Sequence, residues 1–196
     1  MVKALHFEAA SHTYTLAGRR LPGVTAIIAP INELEGIPRE LLEAAARFGT
    51  HVHKAVDLHN KGALDLEALD PLLAPYLAGW AECLRVTGAV VLESERRVYH
   101  RKLKYAGTLD SVVKFPGEAL PAVLDVKSGD RVFRSVRPQL AGYREAYMSE
   151  GRKLSRNRYC AHLKGDGTFR LLKYSDPADW NIFLSCLNVT NWMKTP

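Results

Sequence analysis

The sequence predicts an α/β (α+β) fold, in which a central mixed β-sheet is flanked by helices within a single domain. Apolar, β-branched runs at residues 107–115 and 122–127 lie on either side of a turn with proline and glycine, as two adjacent strands do. Segments with an apolar stripe at helical spacing, such as 38–60 and 138–150, alternate with further strand patterns. A chain of 196 residues is long enough to bury a substantial core in one domain.

The first part of the chain is predicted to form a small hairpin and then a long helix. Residues 5–22 contain two strand-like runs around a glycine-containing turn, which is typical of a hairpin. A short helix at 24–30 and a connector at 31–36 follow. Residues 38–60 predict a helix, because proline suits its first turn and apolar residues recur at spacings of three and four. The apolar stripe of this helix consists of Leu41, Ala45, Phe48, Val52 and Ala55.

The remaining elements follow from the same periodicities and from turn residues. Asp70 and Pro71 form a cap and first-turn pair. The last helix has a mostly apolar stripe and is therefore expected to pack on the sheet. This stripe is Trp180, Leu184, Leu187 and Trp192. The expected elements are a helix at 70–88, strands at 89–99 and from 104, a helix at 138–150, strands at 158–163 and 169–174, and a helix ending near 193. They group into an N-terminal hairpin and connector (1–36), a helical part (37–88), and the sheet with its flanking helices (89–196).

Composition is that of a soluble globular protein, with 47% hydrophobic and 24% charged residues. No apolar run approaches the roughly 20 residues that span a bilayer, so no membrane partner is expected. The N-terminus lacks the apolar stretch of a signal peptide. Three scattered cysteines favour reduced thiols and a cytoplasmic location.

Basic residues cluster on both sides of the strand pair, in a chain of net charge +6. Such clusters fit a polyanionic partner, and DNA, single- or double-stranded, is the expected one. A basic surface without a ligand is the alternative. The residues expected to contact nucleic acid are Arg97, Lys102, Arg131, Arg134 and Arg137.

The candidate site lies on the two central strands. Asp125 and Lys127 are two residues apart on one strand, so their side chains share a face, roughly 6.5 Å apart. Asp110 can join them from the neighbouring strand. The strand around Asp125 is apolar on both faces, as a covered central strand is, and charges there are costly unless they are paired or bind a metal. An exposed ion pair on a polar strand face is the alternative.

Two stretches around these residues resemble the core motif of PD-(D/E)XK nucleases, in their RecB-like and phage-type exonuclease branch. They are Gly-Thr-Leu-Asp at 107–110 and Leu-Asp-Val-Lys-Ser-Gly at 124–129. The Asp-x-Lys triplet alone is common by chance, whereas the ordered set is much more specific. The resemblance implies a restriction-endonuclease-like core, which is a mixed sheet flanked by helices.

Further motifs match the same branch. Gly-Thr-His-Val-His at 49–53 resembles a helix motif whose last histidine, here His53, binds metal; a surface histidine is the alternative. Ser-Glu-x-x-Val at 94–98 is similar to the context of a strand glutamate, so Glu95 either approaches the metal or faces solvent. The opening pattern at 14–25 is also similar but weak by itself.

A helix motif, Gln-Leu-x-x-Tyr at 139–143, completes the resemblance. Gln139 and Tyr143 share a helix face. The resemblance implies that Gln139 contacts a phosphate or a metal-bound water and that Tyr143 braces the site. An ordinary amphipathic helix with Tyr143 in the core is the alternative.

The resemblance implies a site that binds Mg²⁺ or Mn²⁺ and hydrolyses phosphodiester bonds. Lys127 would position the attacking water or offset negative charge in the transition state, and Ser128 would orient the loop. The implied metal ligands are His53, Asp110, Asp125 and the carbonyl of Val126.

The resemblance further implies a DNA exonuclease of phage or bacterial recombination and repair, with a phage recombination protein as a partner. A structure-specific or restriction-type endonuclease of the same superfamily, and a catalytically inactive binding relative, are the alternatives. Polarity of cleavage, preference for one strand or two, and oligomeric state stay open.

Overall fold

A computed structural model describes residues 5–9 and 11–194. The chain opens with a three-stranded antiparallel sheet in which β2 lies between β1 and β3. These strands are β1 (Leu5–Glu8), β2 (Thr13–Leu16) and β3 (Arg19–Leu21). The predicted hairpin is therefore a meander of three strands, because the chain turns back at Gly18 and pairs with β2 again. Residues 1–4, at the start of the predicted N-terminal part, lie outside the described residues.

Three helices follow in the regions that the sequence predicts, but the third begins at Ala74, after Leu73 at its cap position, and not at the predicted Asp70–Pro71 pair. They are α1 (Val24–Ile28), which continues into a 3₁₀ turn at Ala29–Ile31, α2 (Arg39–Asn60) and α3 (Ala74–Thr87). Gly88 ends α3 in the left-handed conformation, with φ of 64°.

The apolar stripe predicted for α2 is only half correct. Val52 and Ala55 are buried, but Leu41 is 61% exposed and Ala45 is exposed as well. The second half of α2 packs on the core, whereas its first half extends beyond it. Periodicity identifies the apolar side of a helix, but it does not tell how far the surface beneath that side continues.

The main sheet has five strands in the order β4-β5-β6-β7-β8. Only β6 and β7 pair in parallel; the other neighbours are antiparallel, so the sheet is mixed, as predicted. The strands are β4 (Val90–Tyr99), β5 (Ala106–Lys114), β6 (Ala122–Lys127), β7 (Arg158–Leu163) and β8 (Phe169–Tyr174). Helix α4 (Val136–Ser149) connects β6 to β7, and α5 (Ala178–Trp192) follows β8.

Helices cover both faces of this sheet. On one face, α2 and α3 contribute Val52 and Trp80 to a core with Leu124 of β6. On the other face, α4 contributes Leu140, which packs with Cys160 of β7.

The last helix does not pack where the sequence predicts. Helix α5 packs mainly against α4 and α1. Its Phe183 and Leu187 are buried, but Trp192, predicted to face the core, is 76% exposed. The cause is that α4 lies on this face of the sheet and leaves α5 an outer position.

The sequence makes predictions about the cysteines and about membrane-spanning segments. Cys83, Cys160 and Cys186 are buried free thiols. Among the helices of residues 5–9 and 11–194, none combines the length and apolar character that crossing a membrane requires.

Candidate active site

Strand register places three carboxylates side by side across the main sheet. Ser111 of β5 pairs with Leu124 of β6, so the next position along sets Asp110 opposite Asp125. On the other side, the pairs Ser94–Ser111 and Arg96–Leu109 leave Glu95 opposite Asp110.

Strands β5 and β6 separate at this row. Their paired positions end at Ser111 and Leu124. Beyond that point the amide of Val126 donates to Oδ2 of Asp110 at 2.7 Å, so a side chain replaces the ladder bond. The separation opens space for the site between the two strands.

Glu95 adopts an unusual backbone conformation. Its φ is 49°, in the left-handed region that residues other than glycine adopt sparingly. Such strain persists only where the surroundings hold it in place, and it is concentrated at functional sites. The sequence left open whether Glu95 faces solvent or the metal site, and the structure places it beside Asp110.

His53 of α2 completes a group of possible metal ligands. Its Nδ1 lies 3.2 Å from Oδ2 of Asp110. One ligand atom each from His53, Glu95 and Asp110 lie within 4.8 Å of one another. Two carboxylates and an imidazole suit Mn²⁺, and the carboxylate oxygens suit Mg²⁺. This acidic cluster could therefore hold a divalent metal.

Asp125 and the partly buried Lys127 form an ion pair next to the cluster. Nζ of Lys127 lies 2.7 Å from Oδ2 of Asp125, which is only 1% exposed. Asp125 is thus engaged with Lys127 and is not among the ligand atoms grouped above. Val126 reaches Asp110 through its amide. The metal-binding roles of Asp125 and of the Val126 carbonyl stay predictions.

Asp110 and Asp125 differ in their proton affinity. Burial raises the pKa of both, but the neighbouring His53 outweighs it at Asp110 and brings that pKa below its ordinary value. At Asp125 burial prevails over Lys127, and the pKa is raised. Burial lowers the pKa of Lys127, but Asp125 and Asp110 outweigh it, so the pKa is raised and the ammonium stays charged.

Glu95 and His53 are shifted as well. Burial, followed by the charge of Asp110, raises the pKa of Glu95 to about 7. Burial by itself lowers the pKa of His53, but Asp110 outweighs it and the net shift is upward. A bound cation would oppose protonation of both groups, because metal ligands must give up their protons.

Helix α4 supplies the two residues predicted from the Gln-Leu-x-x-Tyr motif. Gln139 and Tyr143 are buried, and Nε2 of Gln139 donates to the Tyr143 hydroxyl at 3.4 Å. Both line a cavity of about 650 Å³ together with Asp110, Asp125 and Lys127. The structure therefore brings these two residues to the candidate site.

A second cavity, of about 770 Å³, adjoins the first and is lined by both basic and acidic side chains. Asp57 pairs with Lys54 and Lys61, and Glu93 pairs with Arg96. The two cavities share Thr50, His53 and Glu95, so they meet at the acidic cluster. The basic side chains along the second cavity are Lys54, Lys61, Arg96 and Arg97.

The predicted nucleic-acid contacts lie in different surroundings. Arg97 lines the second cavity. Lys102, on the turn after β4, and Arg134 are exposed, and the guanidinium of Arg131 lies 4.6 Å from the Phe133 ring.

Arg137 has acidic partners. It lies in the first turn of α4, 3.1 Å from Asp176 and 3.0 Å from Asp179. These two carboxylates belong to residues around the start of α5. The sequence predicts Arg137 in a basic loop, whereas the structure shows it forming ion pairs between α4 and α5.

Ser128 follows β6 directly and is half-buried. The nearest neighbour of a Cβ built on Gly49 would be the Ser128 hydroxyl, at 3.8 Å. Ser128 therefore lies beside α2, close to the motif that carries His53.

Sequence reasoning missed two groups near the site. Lys54 and Lys61 line the second cavity together with His53, and the helical spacing of residues 50, 54, 57 and 61 is the signal that could have found them. Phe7 and His12 from the N-terminal sheet line the first cavity, and no local pattern pointed to them.

No protein-family model matches this chain, and no curated protein matches it. The solved structures that are similar to it include the following two. A protein named SSO0001 is 14% identical, with 88% of this chain and 76% of that chain covered and a TM-score of 0.45. LHK-Exo, solved in complex with dAMP, is 11% identical, with 86% and 85% covered and a TM-score of 0.46. These likenesses are distant, and the assignment of the site rests on its own geometry.

Proposed function

We propose that this protein is a metal-dependent nuclease of the PD-(D/E)XK type that hydrolyses phosphodiester bonds in DNA. One observation carries the proposal: the ligand atoms of His53, Glu95 and Asp110 gather within 4.8 Å, beside an ion pair between the buried Asp125 and the partly buried Lys127. An exposed ion pair would not account for the burial of Asp125. A purely structural salt bridge would not account for three further ionisable side chains beside it.

His53, Glu95 and Asp110 are the proposed holders of Mg²⁺ or Mn²⁺. When bound, the cation would supply Lewis-acid activation and neutralise charge on the phosphate. Lys127 would donate hydrogen bonds to a phosphate oxygen or to the attacking water, and its fixed positive charge would stabilise the transition state. Asp125 holds the ammonium in place at 2.7 Å.

Gln139 is the proposed contact to a phosphate oxygen on the α4 side. Its amide lies 3.4 Å from the Tyr143 hydroxyl, and both side chains are buried, so its position is restrained before substrate arrives. The second cavity supports a path for the sugar-phosphate backbone past Arg97 and Lys54.

Within this class we propose an exonuclease of DNA recombination or repair, as the sequence motifs imply. The competing assignments are an endonuclease of the same superfamily and a binding protein without catalysis. Dependence on a free DNA end separates the first from the second, and metal-dependent cleavage separates both from the third.

The test is a time course with end-labelled single- and double-stranded DNA and with closed circles, in Mg²⁺, Mn²⁺ or EDTA. Wild-type protein should cut linear DNA only with a divalent cation. Lys127→Ala should cut at least about 100-fold more slowly, since it removes one preorganised charge from the transition state. The same variant should still bind DNA, because the second cavity is intact.

Undiminished turnover by Lys127→Ala would remove the assignment of the site. Cleavage of closed circles by the wild type would favour the endonuclease. DNA binding without cleavage in either metal would favour the binding protein.

A further inference from the structure

Three aromatic rings line one side of the cavity that contains Asp110, and the proposed chemistry does not use them. They are Phe7, His12 and Tyr14. The rings of Phe7 and Tyr14 lie 4.7 Å apart at 30°. His12 is perpendicular to both, at 88° to Phe7 and 86° to Tyr14. The imidazole therefore stands upright on a base made by the other two rings.

Tyr14 ties this cluster to the strand that carries Asp110. Its ring is buried, and its hydroxyl is 2.9 Å from Oγ1 of Thr108. Thr108 precedes Asp110 by two residues on β5, and both line the same cavity. Two residues along a strand are roughly 6.5 Å apart, so the rings are held close to the acidic cluster.

His12 presents its ring outward. It is exposed, and its φ of 47° is in the left-handed region, which few residues other than glycine adopt. Next to it, the guanidinium of Arg97 lies 5.4 Å from the Phe7 ring and lines the second cavity. An exposed aromatic ring beside an acidic cluster and the basic side chains of the second cavity can bind a ligand that has both an aromatic ring system and a phosphate group. That combination describes a nucleotide.

We propose that His12, supported by Phe7 and Tyr14, stacks on the base of the nucleotide next to the phosphate that is cut. This inference rests on the proposed nuclease function and adds a substrate class to it. A base that stacks on His12 has left the duplex stack. The nucleotide at this position is therefore unpaired, from a single strand or a frayed end, and stacking makes its selection tolerant of base identity.

The first test measures stacking without cleavage. Lys127→Ala protein is titrated with single-stranded oligonucleotides that carry 2-aminopurine at successive positions from one end. Quenching of its fluorescence should be strongest at one position. It should be lost when His12→Ala is added and restored by His12→Phe, which keeps a ring without the imidazole nitrogens. His6→Ala, an exposed histidine on β1, is the matched control and should leave the quenching unchanged.

The second test measures the consequence for cleavage. An abasic nucleotide at the quenched position should slow the wild type about tenfold, because one base–aromatic contact is lost. His12→Ala should cut the intact and abasic strands at equal rates. Thermal unfolding of each variant identifies any loss of folding, which is not expected at an exposed side chain.

Three outcomes overturn the inference: quenching that His12→Ala does not change, failure of His12→Phe to restore it, and an abasic penalty that persists in His12→Ala. Failure of the proposed function is distinguishable, because it would leave the wild type unable to cut any DNA with Mg²⁺ or Mn²⁺, whatever the quenching shows.

Discussion

Glu95 combines two features that cost stability at a single position. Its backbone has a φ of 49°, and burial with the nearby Asp110 raises its pKa to about 7. Both costs are expected of a group that is held ready for a cation, since functional sites retain strain that a purely structural position would lose. The same features predict how stability changes when this carboxyl is neutralised.

Glu95→Gln should stabilise the metal-free protein at high pH. The pKa of this carboxyl is near 4.5 in the unfolded chain and about 7 in the folded protein. The folded state therefore loses stability as the pH rises from 4.5 to about 7. The glutamine variant escapes this loss. In EDTA at pH 8 its Tm should exceed that of the wild type by a few degrees, from at most about 2 kcal/mol after solvent screening. Near pH 4 the two Tm values should agree.

The matched control is Glu43→Gln, which removes an exposed partner of Arg39 on α2 and should change Tm little at either pH. The same Glu95 variant should bind Mn²⁺ more weakly in calorimetry. A Tm difference that is the same at pH 4 and pH 8 would contradict the position assigned to Glu95.

Among the helices and strands, the sequence best predicts those whose bounds depend on local signals alone. The bounds of β7 and β8 agree with the predicted ones, because alternating side chains and the tight turn between them are local signals. Helix α2 was placed correctly, yet Leu41 is exposed because the length of the supporting surface depends on distant parts of the chain.

In the candidate site too, some residues are predictable from local spacing and others only from the folded chain. Asp125 and Lys127 were placed on one strand face by spacing alone, and Asp110 joined them through an adjacent strand. The position of Glu95 depends on register and on a left-handed φ, which spacing does not reveal. The aromatic wall at His12 arises from a separate small sheet, so only the folded chain shows it.

The close contact between β5 and α4 leaves no room for a side chain at Gly107. A Cβ on Gly107 would lie 2.5 Å from Cε1 of Tyr143 and 3.1 Å from Cγ2 of Val24. Gly107→Ala should therefore cost about 1–3 kcal/mol of stability, measured by urea unfolding, and slow cleavage by displacing Tyr143 from Gln139.

Gly49→Ala is the matched control. A Cβ there meets only the Ser128 hydroxyl, at 3.8 Å, and alanine favours a helix interior, so this variant should be as stable as the wild type or slightly more so. If Gly107→Ala were as stable as Gly49→Ala and the wild type, the β5–α4 contact would be looser than described.

Across the whole molecule the net charge is +6, and the basic side chains of the second cavity lie close to the acidic cluster of the first. The acidic cluster needs a cation before it can accept a phosphate, whereas these basic side chains attract the DNA backbone without one. Binding and cutting should therefore respond to different ions.

DNA affinity should fall steeply with salt, and linearly on logarithmic axes, because phosphate contacts release counterions. In the Lys127→Ala background, fluorescence anisotropy at several KCl concentrations measures this slope. Arg97→Ala should reduce its magnitude by about 1. Arg85→Ala, an exposed arginine paired with Glu82 on α3, is the control and should leave it unchanged. A slope near zero in the parent protein would argue against the second cavity as the DNA path.

His53, Glu95 and Asp110 are proposed to hold a divalent cation together. The most direct test of this proposal is an anomalous difference map from crystals soaked in Mn²⁺, beside crystals of Asp110→Asn treated in the same way. The wild-type map should show a peak in contact with His53 and with both carboxylates, and the Asp110→Asn map a much weaker one. A wild-type map without a peak there, or with the same peak in Asp110→Asn, would contradict the proposal.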